Sequence, residues 1–265
     1  MEKLIKAGRV FYGVMIATLG IQQIFYADFR PVIFPAWLIT MPGLAFLAYF
    51  TSIVLIIAGL AIIFEKRARE VSLSLGGIFL LLLFLGQVPY ELIADPYSNH
   101  LGVWSNPLKE LVLAGGAFAV AGSFPVDEVG DGKRSLGISV LEKLIPFCGV
   151  FVSITMILFG IDHFLYAEFV SKLVPAWIPG QLFWTYFAGV ALIGSGVAII
   201  LKIKLKLVAL LLGAMIFLWF IFLHIPRAIA DPYGDKGNEL TSVFEALGFS
   251  GIAFVIAGGY SRGKG

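Results

Sequence analysis

The stretch LVALLLGAMIFLWFIFLHIPRAIADPY, residues 207–233, decides how the chain is read. Its first seventeen residues carry no charge; His224, Pro226, Arg227 and Asp231 then follow within eight positions. A transmembrane helix needs about 20 mostly apolar residues, and this segment supplies them before ending in polar side chains. Seven further stretches read the same way, giving expected spans at 10–28, 45–64, 71–94, 108–124, 146–168, 184–201, 205–230 and 243–260. The whole chain agrees: 59% of its 265 residues are hydrophobic, 14% are charged, and the mean hydropathy is +0.95. An ordinary soluble domain is about half apolar and roughly a quarter charged. A lipid bilayer is therefore the expected partner, and a soluble enzyme or disordered chain is excluded. The net charge of +2 leaves no basic footprint for nucleic acid. One cysteine, Cys148, rules out a disulfide framework, a Cys-x-x-Cys pair and a zinc cluster.

Basic residues orient the spans. Fourteen of the nineteen fall on one side of the eight-helix reading, among them Lys3, Lys6, Arg9, Lys66, Arg67, Arg69, Lys202, Lys204 and Lys206. Lys and Arg accumulate in cytoplasmic loops, so both termini are expected in the cytoplasm of a multi-pass cell-membrane protein. The basic start before an apolar run imitates a signal peptide. Its counterpart at 146–168 lies mid-chain, where no signal peptide can be, so the first run reads as a retained helix.

The sequence also repeats. Phe25-Tyr-Ala-Asp-Phe29 matches Leu165-Tyr-Ala-Glu-Phe169; Pro35-Ala36-Trp37 matches Pro175-Ala176-Trp177; Asp95-Pro96-Tyr97 matches Asp231-Pro232-Tyr233. Four spans per copy insert both copies in the same orientation, a parallel repeat. The expected fold is an all-α integral membrane protein, eight transmembrane helices as two parallel four-helix repeats. Repeat 1 takes 1–124, a polar cytoplasmic linker 125–143, and repeat 2 takes 144–265.

Phe159-Gly-Ile-Asp-His-Phe164, Leu173-Val-Pro-Ala-Trp-Ile-Pro-Gly180, Phe183-Trp-Thr-Tyr186 with Gly189, and Leu223-His-Ile-Pro-Arg227 together resemble the DoxX/DoxD-like family of four-helix membrane proteins. The likeness covers nearly all of both halves, with weaker motifs in the first, and this chain holds a tandem pair where the family has single units. That family includes the membrane subunits of thiosulfate:quinone oxidoreductase. The resemblance thus implies a quinone as ligand and a membrane or peripheral redox subunit as partner.

Ionisable residues inside a spanning helix are costly and are functional candidates by default. The second half collects Asp162 and His163 near the outer end of its first helix, then His224, Arg227 and Asp231 on its third, and Glu245 opening its fourth. His224, Arg227 and Asp231 recur at i, i+3 and i+7, one helix face; His163 and Tyr166 share another. Arg227 and Asp231, four apart, offer an ion pair. Pro226 removes a backbone donor and disturbs the turn below it. The constellation reads as an outward-opening polar pocket. In the first half Gln22, Gln23, Gln87 and Tyr90 stand where Asp162, His163, His224 and Arg227 do, so neutral amides replace the two imidazoles. Interhelical hydrogen-bond glue is the competing account of both sets.

Trp177 and Trp184 read either as an interfacial aromatic belt or as flat surfaces for a quinone-like ring. No His-Glu-x-x-His or paired Glu-x-x-His spacing supports a metal site. His163 with His224 meets the two-ligand minimum of haem b and nothing more. Two functions stay open: a quinone-linked redox component whose histidines take or give protons, and a non-enzymatic membrane protein that binds a lipid-like ligand or assembles with a partner. Reporter fusions at the N- and C-termini are expected to report cytoplasm from both; an extracytoplasmic signal from either end overturns the eight-span count.

Overall fold

The computed structural model describes residues 1–35, 43–94, 97, 99–125 and 135–259. Among the described residues all regular structure is helical. In chain order the helices are α1 (Glu2–Tyr26), α2 (Leu44–Ile63), α3 (Ala68–Leu82), α4 (Ser105–Ser123), α5 (Leu136–Glu142) and α6 (Cys148–Leu165). They continue with α7 (Ala167–Leu173), α8 (Gln181–Ile200), α9 (Leu205–Trp219), α10 (Ile225–Ala230) and α11 (Gly234–Gly259). Three residues near the start of α11, Asp235, Lys236 and Gly237, have left-handed backbone and kink it. The expected equivalence of Trp37 with Trp177 lies outside the described residues, as does most of the linker; α5 occupies the linker's last part.

Seven stretches are long and apolar enough to cross a membrane: α1, α2, Ala68–Ile93, Leu136–Leu165, α8, Leu205–Ala230 and α11. The segment expected as the fourth span, 108–124, is helical within α4, 19 residues long, but α4 falls short in apolar content, with Asn106, Lys109 and Glu110 in its first turns. Its surroundings explain why it needs less. Every residue from Val112 to Ala121 is buried, so protein rather than lipid is its solvent. α2 shows the opposite: Phe46, Phe50, Ile53 and Ile57 form an exposed stripe at helical spacing, as a lipid-facing side should.

The packing is ordered around two central helices. α1 lies against α2 and α11, and α6 lies against α8 and α4. α3 packs on α4, α9 packs on α11, and α4 and α11 touch each other. Lipid tails are as apolar as leucine, so such contacts depend on close van der Waals fit, which small residues allow. A Cβ on Gly251 of α11 would sit 2.6 Å from the Gly8 carbonyl oxygen of α1, and one on Gly115 of α4 would sit 3.1 Å from the Cys148 carbonyl oxygen of α6. The first pair approaches to a distance that a side chain would forbid, and the second to one where a Cβ would fit only tightly.

Proline shapes the distal end, the end of the bundle opposite Glu2. α3 widens into a π-turn at Leu83–Gln87 just before Pro89, and α9 widens at Phe220–His224 just before Pro226. Each proline withholds the N–H that a regular α-turn needs, and the wider turn absorbs the mismatch. The disturbance expected at Pro226 takes this form.

One ion pair ties the central helices: Lys109 Nζ on α4 lies 2.8 Å from Glu245 Oε2 on α11, with the Glu245 side chain 5% exposed. Charge reversal at either end, Lys109→Glu or Glu245→Lys, sets like charges face to face in a poorly solvated contact. Each is expected to cost on the order of 3 kcal/mol. The double reversal should recover most of that loss in thermal unfolding of the detergent-solubilised protein, as coupled neighbours do.

Candidate functional site

The second-half candidates gather at the distal end where α6, α9, α10 and α11 meet. His163 sits in the last turn of α6, its Nδ1 2.7 Å from the Phe159 carbonyl oxygen one turn back. A carbonyl can only accept, so in the neutral ring Nδ1 carries the hydrogen and Nε2 keeps its lone pair. The ring stacks on Trp219 of α9, centroids 6.3 Å apart. His224 closes the π-turn, and its Nδ1 is buried without a hydrogen-bond partner. The charges that reach it belong to Lys109, Arg227 and Glu239. No hydrogen bond or ring contact joins His163 to His224 among the described residues.

The structure changes the expected partner of Arg227. Its Nε donates to Glu239 Oε2 at 2.8 Å and its Nη2 to Glu239 Oε1, a two-pronged pair, and Nη1 reaches the Leu173 carbonyl at 3.4 Å. Asp231 instead accepts the Gly234 N–H at 2.9 Å and stays exposed. The physical reason is the chain's course: Asp231 ends the helix and its carboxylate caps the next turn, while the α11 kink brings Glu239 alongside the guanidinium. Glu245 is buried on Lys109, and its Oε1 has no partner.

The remaining candidates spread along the same end. Trp177 is 63% exposed and meets Phe222 edge-on. Trp184 donates from Nε1 to the Pro179 carbonyl at 3.2 Å. Tyr166 stacks on His100, centroids 4.4 Å apart, and its hydroxyl accepts the Leu101 N–H at 3.2 Å. Asp162, one turn below, keeps Oδ1 without a partner within electrostatic reach of His100. Phe164, Tyr166, Glu168, Phe169 and Lys172 line an open groove at the α6–α7 corner.

The equivalent first-half residues are mostly consumed by packing. Gln23, fully buried, donates to Thr51 Oγ1 at 3.0 Å and accepts the Arg30 N–H at 3.4 Å. Gln87 donates to the Pro31 carbonyl at 2.7 Å. Gln22 accepts from Thr241 at 2.8 Å, and that hydroxyl accepts Arg30 Nη2 at 2.9 Å. Arg30 also donates to the Lys236 carbonyl at 2.8 Å. Burial pulls its guanidinium down from the ordinary arginine range, and the charges of Tyr26, Glu245, Asp235 and Asp28 push it back. Of this group Gln22 Nε2 and Arg30 Nε remain without partners.

Sequence reasoning missed Lys109, Glu239, Arg30 and His100 as members of these networks. Lys109, Arg30 and His100 lie far along the chain from their partners, and Glu239 meets Arg227 only across the turn and kink between α10 and α11, so no local spacing announces them. Their only sequence signal is a charge near a helix end.

A family model described as a domain of unknown function (DUF8561) matches residues 152–237. That range runs from α6 to the α11 kink and holds every second-half candidate named from the sequence except Glu245. No curated protein and no solved structure matches the chain.

The two acids around Arg227 give a direct test of this geometry. Glu239→Gln leaves a guanidinium half-buried beside a neutral amide and is expected to cost about 1–3 kcal/mol. Asp231→Asn, on an exposed turn, should change stability by less than about 0.5 kcal/mol. Thermal unfolding of the two variants compares them; equal losses would restore Asp231 as the partner.

Proposed function

We propose that the chain is a DoxX/DoxD-like membrane protein of eight spans in two parallel four-helix repeats, both termini cytoplasmic. In this reading the second repeat takes up a quinone-like ring from the outer leaflet. Several regularities support the repeat. The bounds of α8 are those of α2 moved by 137 residues (44 to 181, 63 to 200), and those of α9 are those of α3 moved equally (68 to 205, 82 to 219). The π-turns before Pro89 and Pro226 keep the same offset, as do left-handed Arg67 and Lys204. The lipid-side stripe Phe46, Phe50, Ile53 returns as Phe183, Phe187, Val190. The two fourth helices, α4 and α11, form a central pair, each packed on its own third helix and on the first helix of the other repeat.

The observation that carries the ligand reading is an imbalance between equivalent positions. Gln87 has been drawn into a packing contact with the Pro31 carbonyl, whereas His224 Nδ1 at the matched position is buried with no partner. Asp162 Oδ1 and Glu245 Oε1 of the second half are unpartnered too, as is Gln22 Nε2 of the first. A buried polar group without a partner costs about 1–3 kcal/mol, and a ligand that meets it removes that cost. A quinone carbonyl accepts from an imidazole N–H such as one on His224, and the hydroxyls of its reduced form donate to carboxylate oxygens such as Asp162 Oδ1 and Glu245 Oε1. The ring stacks on aromatic faces such as Trp177, Phe222 and Trp219. Reduction by an electron-donating partner subunit adds two electrons and two protons to the ring. His163, with Nε2 free, and His224 are the imidazoles that would exchange those protons with the ring.

The second reading, a membrane protein that binds a lipid-like ligand or docks a partner without chemistry, is favoured by the anchoring of His163 on Phe159 and Trp219. The histidines separate the two. Purified protein is expected to retain quinone and to be labelled by a photoreactive quinone analogue within 152–237. His224→Gln should lower quinone-dependent proton uptake about tenfold or more while folded yield is kept. Protein that neither retains quinone nor takes the label, with His224→Gln silent in every assay, overturns the redox reading in favour of the second.

A further inference from the structure

Glu110 plays no part in the site proposed above. It stands in the second turn of α4 with no exposed surface, and neither carboxyl oxygen meets a hydrogen-bond donor. Leu113, Ala114 and Ala117, one and two turns along the same face, are likewise without exposed surface. Lys109, its chain neighbour, projects about 100° away around the helix and is engaged by Glu245. A bare carboxylate enclosed in apolar protein, with neither cation nor donor, is far costlier than the neutral acid. Three other acids at helix contacts are differently placed: Glu245, Glu239 and Glu142 each sit on a cation.

We propose that Glu110 is a proton-binding site, a carboxyl inside the bundle that takes up and returns a proton through the distal end. Three features support exchange over permanent burial. Glu110 lies five residues from the start of α4, about 8 Å along the helix axis. The segment of α3 that α4 meets there is the π-turn Leu83–Gln87, where the regular hydrogen-bond ladder is already broken. And a carboxyl with both oxygens unsatisfied has no structural contact to maintain, so nothing in the resting packing explains its presence. Because α4 is one of the two central helices, the charge state of Glu110 acts where both halves of the molecule are joined. This inference does not depend on a ring binding near His224.

A hydrophobic carbodiimide, dicyclohexylcarbodiimide, tests it on the full-length protein in phosphatidylcholine vesicles. The reagent adds to protonated carboxyls in apolar surroundings: the acid proton moves to one nitrogen, the carboxyl oxygen bonds to the central carbon, and the adduct rearranges to an N-acylurea with nothing lost. Peptide mapping is expected to find the adduct at Glu110 and not at Glu239 or Glu245. The yield at mildly alkaline pH should stay close to that at mildly acidic pH, and Glu110→Gln should abolish the adduct. Should that variant fail to fold, the wild-type map and pH series decide alone. The proposal is overturned if Glu110 stays unmodified, or if its labelling vanishes on leaving the ordinary carboxylate range. It is also overturned if sodium, but not choline, protects the site, which would make Glu110 a sodium ligand.

Discussion

The close approach of the central helices to their neighbours is the constraint on which the rest of the molecule depends. Gly251 against Gly8 and Gly115 against Cys148 bring α11 to α1 and α4 to α6 at backbone distance. In a bilayer, where burying leucine against leucine gains little over burying it against lipid, this fit and a few polar contacts are what hold helices together. A larger side chain at either glycine would push a whole pair apart. With α4 and α11 enclosed on all sides, the outer helices are left to face the lipid and to carry the exposed aromatic stripes.

That enclosure gives polar residues somewhere to be. Lys109 and Glu245 meet across the central pair with side chains 22% and 5% exposed, and the buried Glu245 carboxylate is tolerable because Lys109 is 2.8 Å away. Arg30 is accommodated by carbonyl and hydroxyl acceptors from α11, and Arg227 by a carboxylate from the same helix. The last helix of the chain therefore serves polar groups from both ends of the sequence. In the two-repeat reading, positions 109 and 245 are equivalent, and opposite charges there favour pairing of one half with the other over pairing of like with like.

The contrast between the halves is one of hydrogen-bond saturation rather than of residue type alone. The amide at 23 donates and accepts at once, and the amide at 87 donates to a carbonyl, so both are taken up by nearby groups. An imidazole at 224 has fewer ways to be satisfied, and the π-turn that carries it leaves its Nδ1 without a partner. The same backbone device, a π-turn before a proline, thus presents a committed side chain in one half and an available one in the other.

By itself the sequence determined the helical, lipid-compatible character of the chain, the position of most spans and the break before Pro226, because composition, apolar run length and a missing N–H act locally. It also marked the ionisable residues, since any charge in such a run stands out. It could not determine that α4 is enclosed by protein, that Arg227 pairs with Glu239 instead of Asp231, or that Lys109 reaches Glu245. Those outcomes depend on which helices touch and on the kink that sets the start of α11. Helix contacts in lipid are decided by shape at close range, which residue spacing along one helix does not encode.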